Sequence, residues 1–132
     1  RAVMEQHPVH GETLLKRYAD FARGVAIVRH HHESWDGRGY PDGLKGANIP
    51  FGARVIAVAD SFDAMTSDRP YRHGMPMRKA VDILCEGRGR QWDATLVDAF
   101  LRGISAQLEQ QPSPPPTRLA TAAAPEPAES VA

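Results

Sequence analysis

The sequence predicts an all-α domain over residues 1–104 and a disordered tail over residues 105–132. Three observations carry this. Apolar residues recur at helical rather than alternating spacing, Gly and Pro cut them into helix-length segments, and composition changes abruptly near Ser105. No stretch keeps the strict alternation of a half-buried strand, and no internal repeat is visible.

The elements follow in order. From Pro8 to about Phe21, Val9, Leu14, Leu15, Tyr18 and Phe21 fall at roughly helical spacing, with Glu12 near the start. Gly24 is expected to interrupt. A second helix is predicted from about Val25 through Ile27 and Val28 into His30-His31-His32-Glu33. Residues 36–48 hold four glycines and a proline and read as a loop. Pro50 suits the first turn of a helix, and behind it Val55, Ile56, Val58, Ala59, Phe62 and Met65 form an apolar stretch. A strand is the alternative for Arg54 to Ala59, but the run continues helically past Asp60. Pro70 and Gly74 mark another loop. The next helix runs from about Pro76 to Glu86, burying Ala80, Val81, Ile83 and Leu84, and stops at Gly87. Asp93 is the expected N-cap of a last helix carrying Leu96, Val97, Phe100 and Leu101. The tail is rich in Pro, Ala, Ser and Glu and has no aromatic residue. Such a segment cannot bury enough apolar surface to offset its ordering entropy.

At 132 residues there is room for one domain with a modest core. Sixteen basic and sixteen acidic residues cancel, which argues against a partner that is a nucleic acid polymer or an anionic membrane. A local basic pocket for a small phosphate ligand stays open. The single cysteine, Cys85, rules out an intramolecular disulfide and fits a reducing, cytoplasmic setting. No apolar run approaches the roughly 20 residues that span a bilayer, so no membrane insertion is expected. The chain starts at Arg1 without an initiator Met and without a signal peptide, which reads as a processed or partial chain.

Three features carry chemistry. Three of the six histidines are adjacent, at the end of an apolar helix. Neutral imidazole offers a nitrogen lone pair to a metal, and helical residues point about 100° apart, so two of the three can face one cavity. Taken alone, the run fits a metal site and a surface cluster about equally. Asp60 and Asp63 sit in an apolar helix at i, i+3 spacing, which puts both on one face. A carboxylate buried there needs a pair or a cation. An exposed polar stripe is the bland alternative, but Val58, Ala59 and Phe62 crowd Asp60, so it is expected to be a buried ligand. Finally, the Gly-rich loop Trp35–Gly46 frees backbone N–H groups for an anion, and Arg69 and Arg72 supply planar forks suited to phosphate.

These features occur in ordered motifs: His31-His32-Glu33-Ser34-Trp35-Asp36-Gly37-Arg38-Gly39-Tyr40-Pro41, Ile49-Pro50, Ala53-Arg54-Val55, Val58 through Thr66, and Asp68-Arg69-Pro70-Tyr71-Arg72, with His7-Pro8-x-x-Gly11 upstream. From about residue 4 to 101 the chain resembles the HD-GYP family of the HD phosphohydrolases. The resemblance implies a helical, cytoplasmic, bacterial enzyme that hydrolyses cyclic di-GMP to pGpG or GMP with two or three divalent metals, iron or manganese. It implies His7, His31, His32 and Asp60 as metal ligands, and Tyr40, Asp63, Arg69 and Arg72 near the substrate. His30 falls outside the matched register. No catalytic side chain separable from the ligands is implied, the attacking group being water activated by the metal. Mixed His and Asp ligation suits iron or manganese better than structural zinc.

Family members also contact diguanylate cyclase domains through the Tyr40 loop, and an upstream receiver or sensory domain is common among them. The family's His-Asp pair, usually followed by Gly-Lys, has no counterpart in the six residues before His7. The resemblance therefore implies a C-terminal part of such a domain, with uncovered apolar surface and without appreciable activity by itself. Trp92-Asp93-Ala94 replaces the usual Phe-Asp-Pro, a change expected to affect packing only. The alternatives are a non-catalytic module that binds the cyclase or the nucleotide, and an HD hydrolase acting on another nucleotide. The motif around Tyr40 argues against the last.

Overall fold

The computed structural model describes residues 4–110, and among them the architecture is helical, with no β-strand. Helix α1 spans His7–Leu15, α2 Ala22–His30, α3 Phe51–Thr66, α4 Met77–Gly87 and α5 Ala94–Gln110. Two isolated bridges, Arg69 with Arg72 and Arg88 with Trp92, are the only β-type pairing among the described residues.

Helices α3, α4 and α5 enclose the core. Val58, Leu84, Trp92 and Val97 are buried at its centre, with Phe62, Met65, Phe100 and Leu101 packed around them. The Phe62 and Phe100 rings meet edge to face at 5.1 Å. Trp92 satisfies its one polar atom by donating Nε1–H to Ser61 Oγ at 3.1 Å, so the indole is buried without an orphaned donor. Asp93 caps α5 as its sequence position predicts: its Oδ1 accepts the Thr95 N–H at 3.0 Å. Its Oδ2 accepts from Arg54 Nη1 at 2.7 Å, so a buried carboxylate is paired and the start of α5 is pinned to α3. α1 packs on α2, and α2 on α3.

Four expectations change. The helix predicted from Pro8 to Phe21 is two pieces: α1 closes with Lys16 N–H on Glu12 O at 2.9 Å, and Tyr18 is extended (φ −118°, ψ 111°) before a short 3-10 turn at Ala19–Phe21. Gly24 lies inside α2 rather than breaking it, since one glycine weakens a helix without ending it. α2 stops at His30, so His31 is its C-cap and His32 begins the following turn. α5 runs past Ser105 to Gln110, because Ala106, Gln107, Leu108 and Glu109 are good helix formers, and the predicted 104/105 boundary falls within a helix. The remainder of the predicted tail lies outside the described residues.

Asp60 is exposed, not buried as its apolar neighbours predict, and so is Asp63. α3 buries Ala53 and Val58 on its core face and turns Phe51, Val55 and Ile56 outward alongside the two aspartates. Phe51 is 64% exposed, and Leu14 and Tyr18 are 62% exposed, so uncovered apolar surface is present on α1 and α3. Among the described residues no helix is long and apolar enough to cross a membrane.

Candidate metal centre

His7 opens α1, followed by Pro8, whose fixed φ suits the first turn. His31 and His32 lie where α2 ends. The two helices approach closely because Gly11 faces Val28: a Cβ at position 11 would stand 2.7 Å from Val28 Cγ1. That contact brings three imidazoles together. His32 Nε2 lies 3.0 Å from His7 Nε2, and the His31 and His32 ring centroids are 4.0 Å apart. One ligand nitrogen from each of His7, His31 and His32 lies within 4.8 Å of the others.

The group fits a cation on two counts. His31 Nδ1 is 2.7 Å from the Val28 carbonyl, so Nδ1 carries the proton and Nε2 keeps its lone pair, the arrangement common in metal-bound histidines. Two nitrogens bound at right angles to one cation through bonds of about 2.1 Å would sit about 3 Å apart, close to the His7–His32 spacing. Burial and the neighbouring imidazoles of His31 and His7 oppose charge on His32 and push its pKa from 6.5 down to about 4, with Asp60 pulling the other way. His32 is therefore neutral at pH 7 and able to coordinate. Asp60 is not among the ligand atoms that converge at the centre; its charge acts on His32 only as the smallest of these influences.

Sequence reasoning missed the network that holds the centre. Glu33 is 5% exposed and accepts the N–H groups of Asp42 at 2.8 Å and Leu44 at 3.1 Å, anchoring the glycine-rich loop under the histidines. Arg29 grips both oxygens of Asp42 at 2.8 Å and also pairs with Glu12 on α1. It thereby ties α1, α2 and the loop together. These guanidinium contacts hold the Asp42 carboxyl far below the usual carboxylate range, with help from His30. His30 points away from the other two histidines. Its Nε2 meets Asp42 at 2.8 Å and its Nδ1 the Ala26 carbonyl at 2.8 Å. His30, Glu33 and Asp42 also cluster tightly enough for a cation, but Arg29 and the loop N–H groups already occupy the carboxylates. Pairs 9 to 17 residues apart leave no periodic signal in a single sequence.

The loop itself returns to the centre. Gly39 packs on the backbone at Glu33 and Ser34, where any Cβ would overlap main-chain atoms. Tyr40, joined to Pro41 by a cis peptide, stacks its ring on His32 at 5.0 Å. Asp63, Arg69 and Arg72 gather instead at the C-terminal end of α3. Arg69 Nη2 lies 3.8 Å from Asp63 Oδ2, Ser67 Oγ donates to Asp63 Oδ1 at 2.9 Å, and Arg72 donates to the Ala64 carbonyl. A turn closed by Arg69 N–H on Arg72 O at 2.7 Å presents both guanidiniums to solvent. The structure thus brings His7, His31, His32 and Tyr40 into contact and sets Asp63, Arg69 and Arg72 in a second cluster.

An HD domain model matches residues 1–96, a span that includes His7, His31, His32 and Asp60. The chain belongs to the HD domain family. Its ordered motifs and its relatives place it in the HD-GYP branch. It is 49% identical over 110 residues to the cyclic di-GMP phosphodiesterase response regulator RpfG of Xanthomonas campestris, covering 82% of this chain and 29% of that protein. A cyclic di-GMP phosphodiesterase of Thermotoga maritima is 41% identical over 102 residues, covering 76% of this chain and 28% of its own length. A 3'3'-cGAMP-specific phosphodiesterase of Vibrio cholerae is 36% identical over 102 residues, covering 76% of this chain and 20% of its own length. This HD-GYP chain therefore spans less than a third of the length of these relatives, and HD membership is consistent with divalent metal binding at its histidines.

Proposed function

We propose that residues 1–104 supply part of the active site of a metal-dependent phosphodiesterase that hydrolyses cyclic di-GMP to pGpG or GMP, in cytoplasmic bacterial signalling. The convergence of His7, His31 and His32 from two helices carries the reading, because three ligand nitrogens within 4.8 Å are a site prepared for a cation. Asp60 completes the ligand set on this reading, from an exposed position on α3 whose charge acts on His32.

Two or three divalent ions, iron or manganese, are the preferred occupants, since imidazole with carboxylate suits them. When bound they would polarise the phosphodiester and activate water. The chain's own residues do the rest. His31 is held in one tautomer by Val28, Tyr40 walls the site beside His32, and the exposed forks of Arg69 and Arg72 grip phosphate oxygens or guanine, with Asp63 orienting Arg69. The family's His-Asp pair is not among residues 1–132, so on this reading the chain alone binds cation and nucleotide but turns over little. An upstream receiver domain fits the response-regulator relative. The alternative of a non-catalytic module docking a diguanylate cyclase through the Tyr40 loop has that residue against it, since its ring is stacked on His32.

The test is cyclic di-GMP binding with and without manganese, together with chromatography of any linear product. Binding strengthened by manganese, with that strengthening lost in His31→Ala, is expected. Cation-independent binding in both forms would remove the hydrolase reading.

A further inference from the structure

A cavity of about 700 Å³ opens beside His32 and Tyr40, walled otherwise by Ser34, Asp36, Arg38 and Gly39, by Arg90 and Gln91, and by Glu5. Two carboxylates, Glu5 and Asp36, and two guanidiniums, Arg38 and Arg90, border it. The wall is therefore polar with balanced charge. It suits a neutral group rich in donors and acceptors better than a second phosphate, which would call for an excess of cations.

Arg90 reaches this cavity from a fixed loop. Its N–H donates to Gly87 O at 3.0 Å, and Gly89 N–H closes on Trp92 O at 2.8 Å. The Arg90 carbonyl accepts the Asp36 N–H at 2.9 Å, and the Gln91 carbonyl accepts the Trp35 N–H at 3.0 Å. The backbone bearing Arg90 is thus laced to the segment that follows His31 and His32. Arg88, in the same loop, is engaged with Asp98 at 2.7 Å. The Arg90 guanidinium has no side-chain partner among the described residues. It is an exposed donor fork on a fixed backbone, lining a cavity beside the metal centre, and such a fork matches a pair of acceptors.

We infer that this cavity reads a base of the bound dinucleotide and that Arg90 selects guanine by donating to its O6 and N7. The inference rests on the proposal above that the ligand is a cyclic dinucleotide. Guanine offers two acceptors along that edge, whereas adenine puts an amino donor in place of O6, facing another donor. Asp36 and Ser34 on the same wall supply acceptors for the hydrogens of the base.

Calorimetric titration of the metal-free chain with GMP and with AMP tests it, the shared phosphate cancelling between the two. The chain is expected to prefer GMP. Arg90→Ala should weaken GMP binding roughly ten- to a hundredfold and leave AMP unchanged. Arg90→Lys should restore only part of the preference, because an ammonium cannot span both acceptors. Arg90→Met keeps the apolar stem, and an unchanged thermal midpoint confirms the fold. Equal binding of GMP and AMP, or a preference that survives Arg90→Ala, overturns the inference. Guanine preference in a chain that takes up no cation would keep this subsite and remove the hydrolase reading, and cation uptake without base preference would do the reverse.

Discussion

Gly11→Ala should loosen the metal centre from one turn further along α1. The new Cβ would stand 2.7 Å from Val28 Cγ1. Val28 is β-branched and stiff at χ1, so it has little room to turn aside. Restoring ordinary contact therefore needs α1 to back away from α2 by on the order of 0.7 Å. Overpacking of this kind costs about 1–3 kcal/mol, and exchanging a mid-helix glycine for alanine returns about 1 kcal/mol, leaving a net loss near 1 kcal/mol. The effect on function should be larger than the effect on stability. His7 rides on α1, and metal sites hold their distances to about 0.2 Å. Manganese affinity should thus fall about ten- to a hundredfold, as for other perturbed supporting residues. The control is Gly24→Ala, inside α2 with no heavy atom within 4 Å of the added Cβ. It should stabilise the chain by up to about 1 kcal/mol, roughly 4–8 °C in thermal midpoint, with affinity unchanged. Both are read by calorimetric manganese titration alongside thermal unfolding. Wild-type manganese affinity in Gly11→Ala would refute the reasoning.

Two further predictions follow the same network. Arg29→Met removes the guanidinium that joins Glu12 and Asp42, and should lower stability by about 1–2 kcal/mol, read by urea unfolding, because the partly exposed pairs are screened. A loss below a few tenths would mean that the tie is ornamental. His32, with its folded pKa at about 4 against 6.5, favours the folded state while it stays neutral. That contribution is complete above pH 6.5 and lost as pH falls through 4. For a half-buried ring it amounts to about 1–2 kcal/mol after solvent screening. Urea midpoints between pH 7 and 4 should fall more steeply for the wild type than for His32→Asn, and parallel curves would contradict the assignment.

Much of the fold is legible because its signals are local. The apolar run behind Pro50 becomes α3, the segment after Pro76 becomes α4, and Asp93 caps α5 where its side chain suggests. The break after Leu15 is not legible, since neither Lys16, Arg17 nor Tyr18 is a breaker and the chain turns there to bring α1 onto α2. Gly24 misleads in the opposite direction. At the site, the adjacency of the three histidines is visible, but the sorting that sends His31 and His32 toward His7 and His30 toward Asp42 depends on α2 ending at His30. Gly11 stands in the sequence as a motif position, and only the 2.7 Å approach of Val28 explains it. Asp60 shows the limit of pattern reading. Apolar neighbours along a helix do not bury a residue unless another element covers that face, and none among the described residues does.

Cobalt titration of the chain, followed by visible absorption and by shifts of the histidine ring resonances, addresses the centre most directly. Saturable bands with imidazole ligation are predicted, and each of His7→Ala, His31→Ala and His32→Ala should weaken them at least about tenfold. Cobalt binding that is absent, or that persists unchanged when all three histidines are replaced, would contradict the account.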